Sequence, residues 1–574
     1  MKITRRDVLT SLSAGAGLAA CQPPNPQSHT SSSAIISGYF AHGIASGDPT
    51  DSSIILWTRI SVDDASGPID IIWQISEEPD FETLSTSGTI STSAARDWTV
   101  KVDASALKPG TSYYYRFKLG DTLSPIGRTK TLPKGAIDQA RFAIVSCANW
   151  QEGYFNVYDH IARQDHFDAL IHLGDYYYEY PARQTPASFA QKEGRLHNPS
   201  HEIISLSDYR IRHAQYRSDP ALQALSAKMP IITIWDDHET SNDSWRMGAE
   251  NHQENEGDWE ARKQAALRAY YEWLPIRDPK AGRTPEAIFR HYNYGDLLSL
   301  ITVESRLVAR DEPLVIDDYF DMIREDSGTQ RFDKILNDPN REMLGQVQTD
   351  FIMDTLKASK ESGQVWRMLA NQVIIGRVTS PDLTPHVQED ALASMEKAWD
   401  GVRDFVEFSQ YNLPTYTDSW DGYPVARNKF YARAKSEGIR DLLFVTGDSH
   451  EFWVNDLTDG AGEKMGVEFG TTSVSSHTLA DYMGPAAEDY ALLMTQHNQD
   501  VRYYNPMRSG YIDLTLGRSK GTARLIQVDT VKSRTYNAGL SAQFTIRPTA
   551  DGSLKITSPK GLNFKQRVLF SGLG

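Results

Sequence analysis

The sequence predicts an α/β layered protein, central β-sheets flanked by helices, with a β-sandwich domain in front. Three observations carry this. Residues 35–135 alternate apolar and polar side chains with the period of a strand, and Gly, Pro and Asp separate the runs. From residue 136 onward, short apolar runs alternate with segments of helical period, a pattern of layers and not of a bundle. Several of those apolar runs end in carboxyl and imidazole side chains, at the strand ends where ligands gather in α/β folds. At 574 residues the chain is too long for one ordinary core, so more than one domain is expected.

The elements follow in order. Residues 1–20 form an address: "TRRDVLTSLSAGAGLAAC" pairs Arg5 and Arg6 with a small-residue apolar run too short to span a bilayer. It resembles a twin-arginine export signal, so the Tat export machinery is an expected partner. "LAAC", ending at Cys21, resembles a bacterial lipobox, which makes Cys21 a candidate lipidation site; a cleaved signal with an incidental Cys is the alternative. The periplasm, the outer membrane or the cell surface is the expected location, with membrane contact only through a lipid at Cys21. Residues 21–34, rich in Pro, Ser and Asn, predict a tether.

Within 35–135, "SSIILWTRI", "IDIIWQISE", "DWTVKVDAS", "TSYYYRFKL" and "GRTKTLP" predict the short strands of the sandwich. Within 136–519, strands are expected at "RFAIVSC", "DALIHLGD", "MPIITIWDD", "LLSLITVES", "WRMLANQVIIG" and "DLLFVTGDS". Helices are expected at "GYFNVYDHIARQ", "LSDYRIRHAQYRSD" and "DWEARKQAALRAYYEWL". Residues 520–574 predict a β-rich extension, with a hairpin turn near Asp551-Gly552.

The composition is that of a globular protein, 40% hydrophobic and 23% charged. A formal net charge of −16 argues against electrostatic binding of nucleic acid or of an anionic membrane face. An anionic substrate must then be drawn in locally, as bound cations would do. Only Cys21 and Cys147 are present, so Cys147 is either an inert buried thiol or a metal ligand.

A single Asp after a strand is ordinarily a helix cap. Here the endings recur: Cys147 and Asn149 in "IVSCAN", Asp175 and Tyr178 in "LIHLGDYYYEY", Asp236, Asp237, His238 and Glu239 in "TIWDDHE", and Asp448 and His450 in "FVTGDSHEF". Carboxylates, imidazole, thiolate and phenolate together suit a transition metal beside a hard, oxygen-liganded cation. A Cys and a Tyr at one metal favour a trivalent, Lewis-acidic ion, and Fe(3+) fits.

These blocks resemble the calcineurin-like metallophosphoesterase superfamily. Asp237-His238-Glu239 stands where Asn-His-Glu is usual, Gly447-Asp448-Ser449-His450 replaces Gly-His-x-His, and Cys147 takes the place of the first Asp. Those departures resemble the alkaline phosphatase D (PhoD-like) family over most of residues 38–515. "FAHGIASGDPTDSSIILWTRI", "LSDYRIRHAQYRSDPALQ" and "DSWDGYPVARNKF" add to the likeness. The resemblance implies an α/β metallophosphoesterase domain holding Fe(3+) and one or two Ca(2+). Cys147, Asp175, Tyr178 and His450 would hold the iron, and Asp175, Asp237 and Asp448 the calcium, where oxygen ligands replace the nitrogen ones. His238 would meet the leaving group. Asp236, Glu239 and Asn149 would support the ligands. Arg306, in Glu304-Ser305-Arg306 where the family shows Asp-x-Arg, would fork onto phosphate or form a structural salt bridge. His172 lies inside its strand and is expected to be structural.

The implied activity is metal-assisted hydrolysis of phosphate esters. Other expectations stay open: a phosphodiesterase of phospholipase D type, a non-catalytic calcium-dependent surface binding protein, or a nuclease-like site with two ordinary divalent metals.

Overall fold

The structure, a computed structural model, describes residues 40–557 apart from 63–66, 184, 186, 187 and 397–400. The twin-arginine segment, Cys21 and the tether expected over 1–34 lie outside the described residues. Among the described residues no helix is long and apolar enough to cross a membrane.

The first strands are β1 (Ile44–Gly47), β2 (Ile54–Arg59), β3 (Ile69–Ser76), β4 (Thr86–Thr92), β5 (Thr99–Ala104), β6 (Ser112–Leu119), β7 (Thr122–Leu123) and β8 (Gly127–Lys130). Five of them form a sheet in the order β4-β3-β6-β7, with β8 on β6. β1, β2 and β5 instead extend the edge of a larger sheet, because β1 pairs with a strand of the following region. The two layers close over one core: Ile54, Leu56, Val100 and Val102 face Ile71, Ile75, Tyr115 and Phe117. The expected sandwich is therefore half a sheet of its own and half a shared edge. Alternation specifies which face of a strand is buried and not which strand lies beside it.

The larger sheet is centred on β9 (Gln139–Val145), β10 (Ala169–His172) and β11 (Ile231–Thr233), which run parallel. Their apolar runs are continuous because both faces are covered, and Phe142, Ala143, Ile144 and Val145 are all buried. Helices at Asn156–Ala162, Leu206–Arg217 and Trp259–Trp273 form where helical period was read, and a further one at Pro220–Lys228 was not expected; three of the four are capped by a side chain from Ser205, Asp219 or Asp258.

A second sheet comprises β12 (Arg290–Tyr294), β13 (Leu298–Thr302), β14 (Trp366–Ala370), β15 (Leu442–Thr446), β16 (Phe452–Thr458), β17 (Lys464–Gly470) and β18 (Val501–Asn505), in the order β12-β13-β14-β15-β17-β16-β18. The chain then returns to the first sheet with β19 (Gly510–Gly517), β20 (Gly521–Val528), β21 (Ala538–Pro548) and β22 (Leu554–Thr557). β19 pairs with β9, which completes the ten-stranded order β22-β21-β20-β19-β9-β10-β11-β1-β2-β5. Pairing runs unbroken across residue 519, within the β19–β20 hairpin.

The two sheets pack face to face. Phe142 meets Tyr294 edge to face with centroids 5.1 Å apart, and Ile144, Leu170 and Ile512 share a core with Met368, Leu443 and Val467. Helices Gly345–Glu361 and Pro424–Ser436 cover the far side of the second sheet through Met353, Leu356, Phe430 and Ala434. The order is helices, sheet, sheet, helices, and the parallel strands of both sheets end at a common edge, where a bridge joins Ser146 to Ser473.

Candidate metal centre

The centre lies beyond the carboxyl ends of β9, β10 and β11 on one sheet and β15 on the other. The backbone turns sharply there: φ is 61° at Cys147, 54° at Asp175, 65° at Asp448 and 66° at His450. A side chain held in this region costs about 1–3 kcal/mol, and such strain clusters at functional sites. Two glycines permit the approach. A Cβ on Gly174 (φ 110°) would lie 2.4 Å from the Asp236 nitrogen, and one on Gly447 would lie 2.7 Å from the Ser146 side chain. Gly-Asp at 174–175 and at 447–448 thus lets one strand end press against its neighbour.

Glu239 ties the turns together, accepting from the backbone nitrogens of Asp175 (3.0 Å), Tyr176 (2.7 Å) and Asp236 (2.8 Å). The Cys147 nitrogen donates to the Gly174 carbonyl at 3.2 Å and the Ala148 nitrogen to that of Asp175 at 2.9 Å.

Among the described residues three sets of groups result that could hold a metal ion, their ligand atoms within 4.8 Å of one another: Cys147, Asp175 and His450; Asp175, Asp237 and His238; Asp175, Asp236, Asp237 and Asp448. Asp175 is common to all. The Tyr178 hydroxyl joins the first set, donating to Asp175 Oδ2 at 3.0 Å and lying 3.2 Å from His450 Nε2. The residues expected from separate strand ends are brought together here.

The donor set fits cations. Asp175 Oδ1, Asp236 Oδ2 and Asp237 Oδ1 are buried and have no hydrogen-bond partner. A carboxylate oxygen left so is costly unless a positive charge meets it. Electrostatics agree: burial and the neighbouring carboxylates push the Asp175 carboxyl well up, and burial with Asp175 pushes the Cys147 thiol up. Burial likewise raises Asp236, although Arg306 opposes it. Asp237 is held below the usual range because Arg306 and His238 outweigh its burial. Thiol, phenol and imidazole around one carboxylate suit a transition metal, and the four-carboxylate set suits a hard cation.

His238 stands beside the centre. Its Nδ1 lies 2.7 Å from Glu179 Oε2, its ring packs on Tyr178 with centroids 4.0 Å apart, and Tyr180 meets it edge-on at 5.2 Å. Burial lowers its pKa, but Asp175, Asp237 and Glu179 together raise it well above the ordinary value.

Arg306 is fully buried. Its nitrogens reach Asp236 Oδ1 (2.5 Å), Asp418 Oδ2 (2.6 Å), Asp448 Oδ1 (3.2 Å) and Asp237 Oδ1 (3.6 Å). Of the two expectations for it, the geometry displays an ion-pair network among carboxylates. The Asn149 side chain accepts from the Gln151 nitrogen at 3.0 Å, so it shapes its own turn. His172 bonds the Tyr158 hydroxyl at 2.7 Å inside the core, and burial drops its pKa to about 3.

Three residues of the centre escaped sequence reasoning. Glu179 fixes His238, Asp418 pairs with both Arg306 and Arg310, and Ser476 donates to the Tyr178 hydroxyl at 2.7 Å. Glu179 stands in the "YYYEY" run next to Tyr178 and Asp418 opens the "DSWDGYPVARNKF" block, so both were within reach; Ser476 carries no local signal.

Comparisons with known proteins point to one family. The family described as PhoD-like phosphatase matches residues 142–525, and its N-terminal domain matches residues 26–133. Alkaline phosphatase D of Bacillus subtilis (strain 168) is 33% identical over 494 residues, which are 83% of this chain and 75% of that protein. The solved structure of PhoD superposes with a TM-score of 0.73 at 29% identity, covering 93% of this chain and 94% of the other.

Proposed function

The chain belongs to the PhoD-like phosphatase family, and from that premise we propose that it is an exported hydrolase of phosphate esters that works with Fe(3+) and Ca(2+). Three buried carboxylate oxygens without hydrogen-bond partners, Asp175 Oδ1, Asp236 Oδ2 and Asp237 Oδ1, of which the last has a cation near it, Arg306 at 3.6 Å, set beside a thiol, a phenol and an imidazole, carry the proposal. Cys147, Asp175, Tyr178 and His450 hold the iron. Asp175, Asp237 and Asp448 hold the calcium side, where Asp236 adds its unpartnered oxygen. When bound, such cations polarise a phosphoryl group and lower the pKa of water.

The protein's own groups do the rest. His238 directs Nδ1 to Glu179, so Nε2 is the nitrogen that carries a proton to the departing oxygen. Tyr178 and Tyr180 hold the imidazole plane against rotation. Arg306 anchors Asp236 and Asp448 and offsets their mutual repulsion; it serves the substrate through those carboxylates. Glu239 keeps the β10 and β11 turns in register, so that ligands on different strands stay in one arrangement.

Export through the twin-arginine route and a lipid at Cys21 complete the proposal. That route carries folded proteins, so the centre is filled before crossing. Metal analysis and turnover test it together. The purified protein should contain iron and hydrolyse p-nitrophenyl phosphate or its bis-ester at alkaline pH, dependent on calcium. Iron-loaded, calcium-replete protein that turns over neither ester sinks the phosphatase assignment, and full activity with divalent metals and no iron sinks the iron.

A further inference from the structure

Beside the centre stand two cations that the reaction above does not use, Arg183 and Lys532, both held at Glu152. Arg183 Nη1 pairs with Glu152 Oε1 at 2.7 Å, the His477 nitrogen donates to Glu152 Oε2 at 2.7 Å, and Lys532 Nζ donates to the Glu152 backbone carbonyl. Burial pushes the Glu152 carboxyl up, yet His477, Arg183 and Lys532 together bring it down to about 2. Arg183 and Lys532 thus bring two fixed cations to one buried carboxylate in a chain whose formal net charge is −16.

The group is joined to the centre. The His477 carbonyl lies 2.8 Å from His450 Nδ1, and Ser476 bonds Tyr178. Arg183 sits on the loop that carries Asp175, Tyr178 and Tyr180, and the phenols of Tyr180 and Tyr482 bear on its charge.

Lys532 comes from the turn between β20 and β21, beyond residue 525 where the family match ends. That turn is clamped onto the loop following Cys147. The Tyr154 nitrogen donates to the Val531 carbonyl at 2.7 Å, and Asn156 Nδ2 donates to the carbonyls of Thr530 and Ser533, each at 2.8 Å. Lys532 lies over the Phe189 ring at 5.4 Å and Arg534 over Tyr154 at 4.2 Å, both exposed to solvent. The nearby carboxylates are engaged: Glu152 is buried, Glu193 accepts from the Tyr154 hydroxyl, and Asp481 accepts from the Thr478 nitrogen.

We propose that Arg183 and Lys532 form a second anion subsite, which binds a further phosphate group on the alcohol portion of the same substrate. This rests on the phosphate-ester reading of the centre and narrows it to esters carrying two phosphates. One N–H of the Lys532 ammonium is directed to the Glu152 carbonyl, which fixes the side chain and leaves the others for an oxyanion.

Propane-1,3-diol bisphosphate and propyl phosphate, compared in excess calcium, test it. The wild type should favour the bisphosphate in kcat/KM by about tenfold, as expected of one added charge-assisted contact. Lys532→Glu should bring the ratio close to one, and Lys532→Arg should restore it, which a merely structural role would not do. An unchanged ratio in Lys532→Glu, or an equal loss on both compounds, overturns the subsite. If the wild type hydrolyses neither compound, the phosphatase assignment fails separately, and calorimetric titration with the same two compounds reads the subsite alone. Tighter binding of the bisphosphate that Lys532→Glu abolishes then upholds the subsite, and equal binding of the two compounds overturns it.

Discussion

Glu179 decides which nitrogen of His238 faces the centre. Its Oε2 meets Nδ1, while Oε1 accepts from the Asn242 nitrogen and Asn251 Nδ2, each at 2.8 Å, so the carboxylate cannot turn away. Glu179→Gln keeps the amide contacts and removes the charge that favours the imidazolium. Its kcat should fall about tenfold with KM little changed, whereas His238→Asn should lose about 10²–10⁴-fold in kcat, the range of a lost general acid. Steady-state kinetics on one phosphate ester decides, and a Glu179→Gln enzyme as fast as wild type removes Glu179 from the reaction. Residues such as Cys147, Asp175, Asp237, His238, Asp448 and His450 were legible because each follows within a few positions of an apolar run. Asp418 lay in a block that sequence reasoning quoted, but its role was not legible, nor was Ser476, since their partners lie 112 and 298 positions away and only tertiary packing selects them. Arg306 was legible as a cation at a strand end; which anions it meets was not.

At the scale of elements, the hairpin of β19 and β20 is the part on which the centre's β9 depends. β19 covers one edge of β9, and Leu525, Phe544 and Ile546 from the strands beyond are buried in the shared core. Truncation after residue 519 would leave β19 as an open edge and strip that core. The truncated protein should be insoluble or proteolysed where the full chain is soluble, and expression with a solubility assay checks it. The strands themselves were legible from alternation and length. Their neighbours were not: β1, β2 and β5 have the period of any sandwich strand, yet they join the large sheet because β1 lies beside β11. Short-range pattern carries no information about a partner so far along the chain.

For the whole molecule, the centre joins two sheets, so stability and metal content should be linked. A cation present at a hundred times its Kd adds about 2.7 kcal/mol to the folded state. Chelation should therefore lower Tm by roughly 2 °C for each cation lost, read by calorimetry. An unchanged Tm after verified metal loss would mean that the unpartnered carboxylates are not where the metal sits. Arg306→Met removes the cation facing Asp236, Asp237, Asp418 and Asp448, and should cost about 3–5 kcal/mol. That cost should be greater in the chelated protein than in the metal-loaded one, because the metals share the same carboxylates.

The pairing of β9 with β19 also orders events during synthesis. Arg141 of β9 meets Thr515 of β19 across 374 positions of chain, and Cys147 meets the Asp448 carbonyl across 301. A ribosome has therefore added 301 positions after Cys147 before the second half of the centre exists, and 374 after Arg141 before β9 gains its last neighbour. Until then the nascent chain exposes an apolar strand edge and a half-set of ligands, the situation in which holding chaperones are most needed. A cation that needs both halves of the centre must therefore wait until the chain has been made past Asp448, and for a fully paired β9 until it has been made past Thr515.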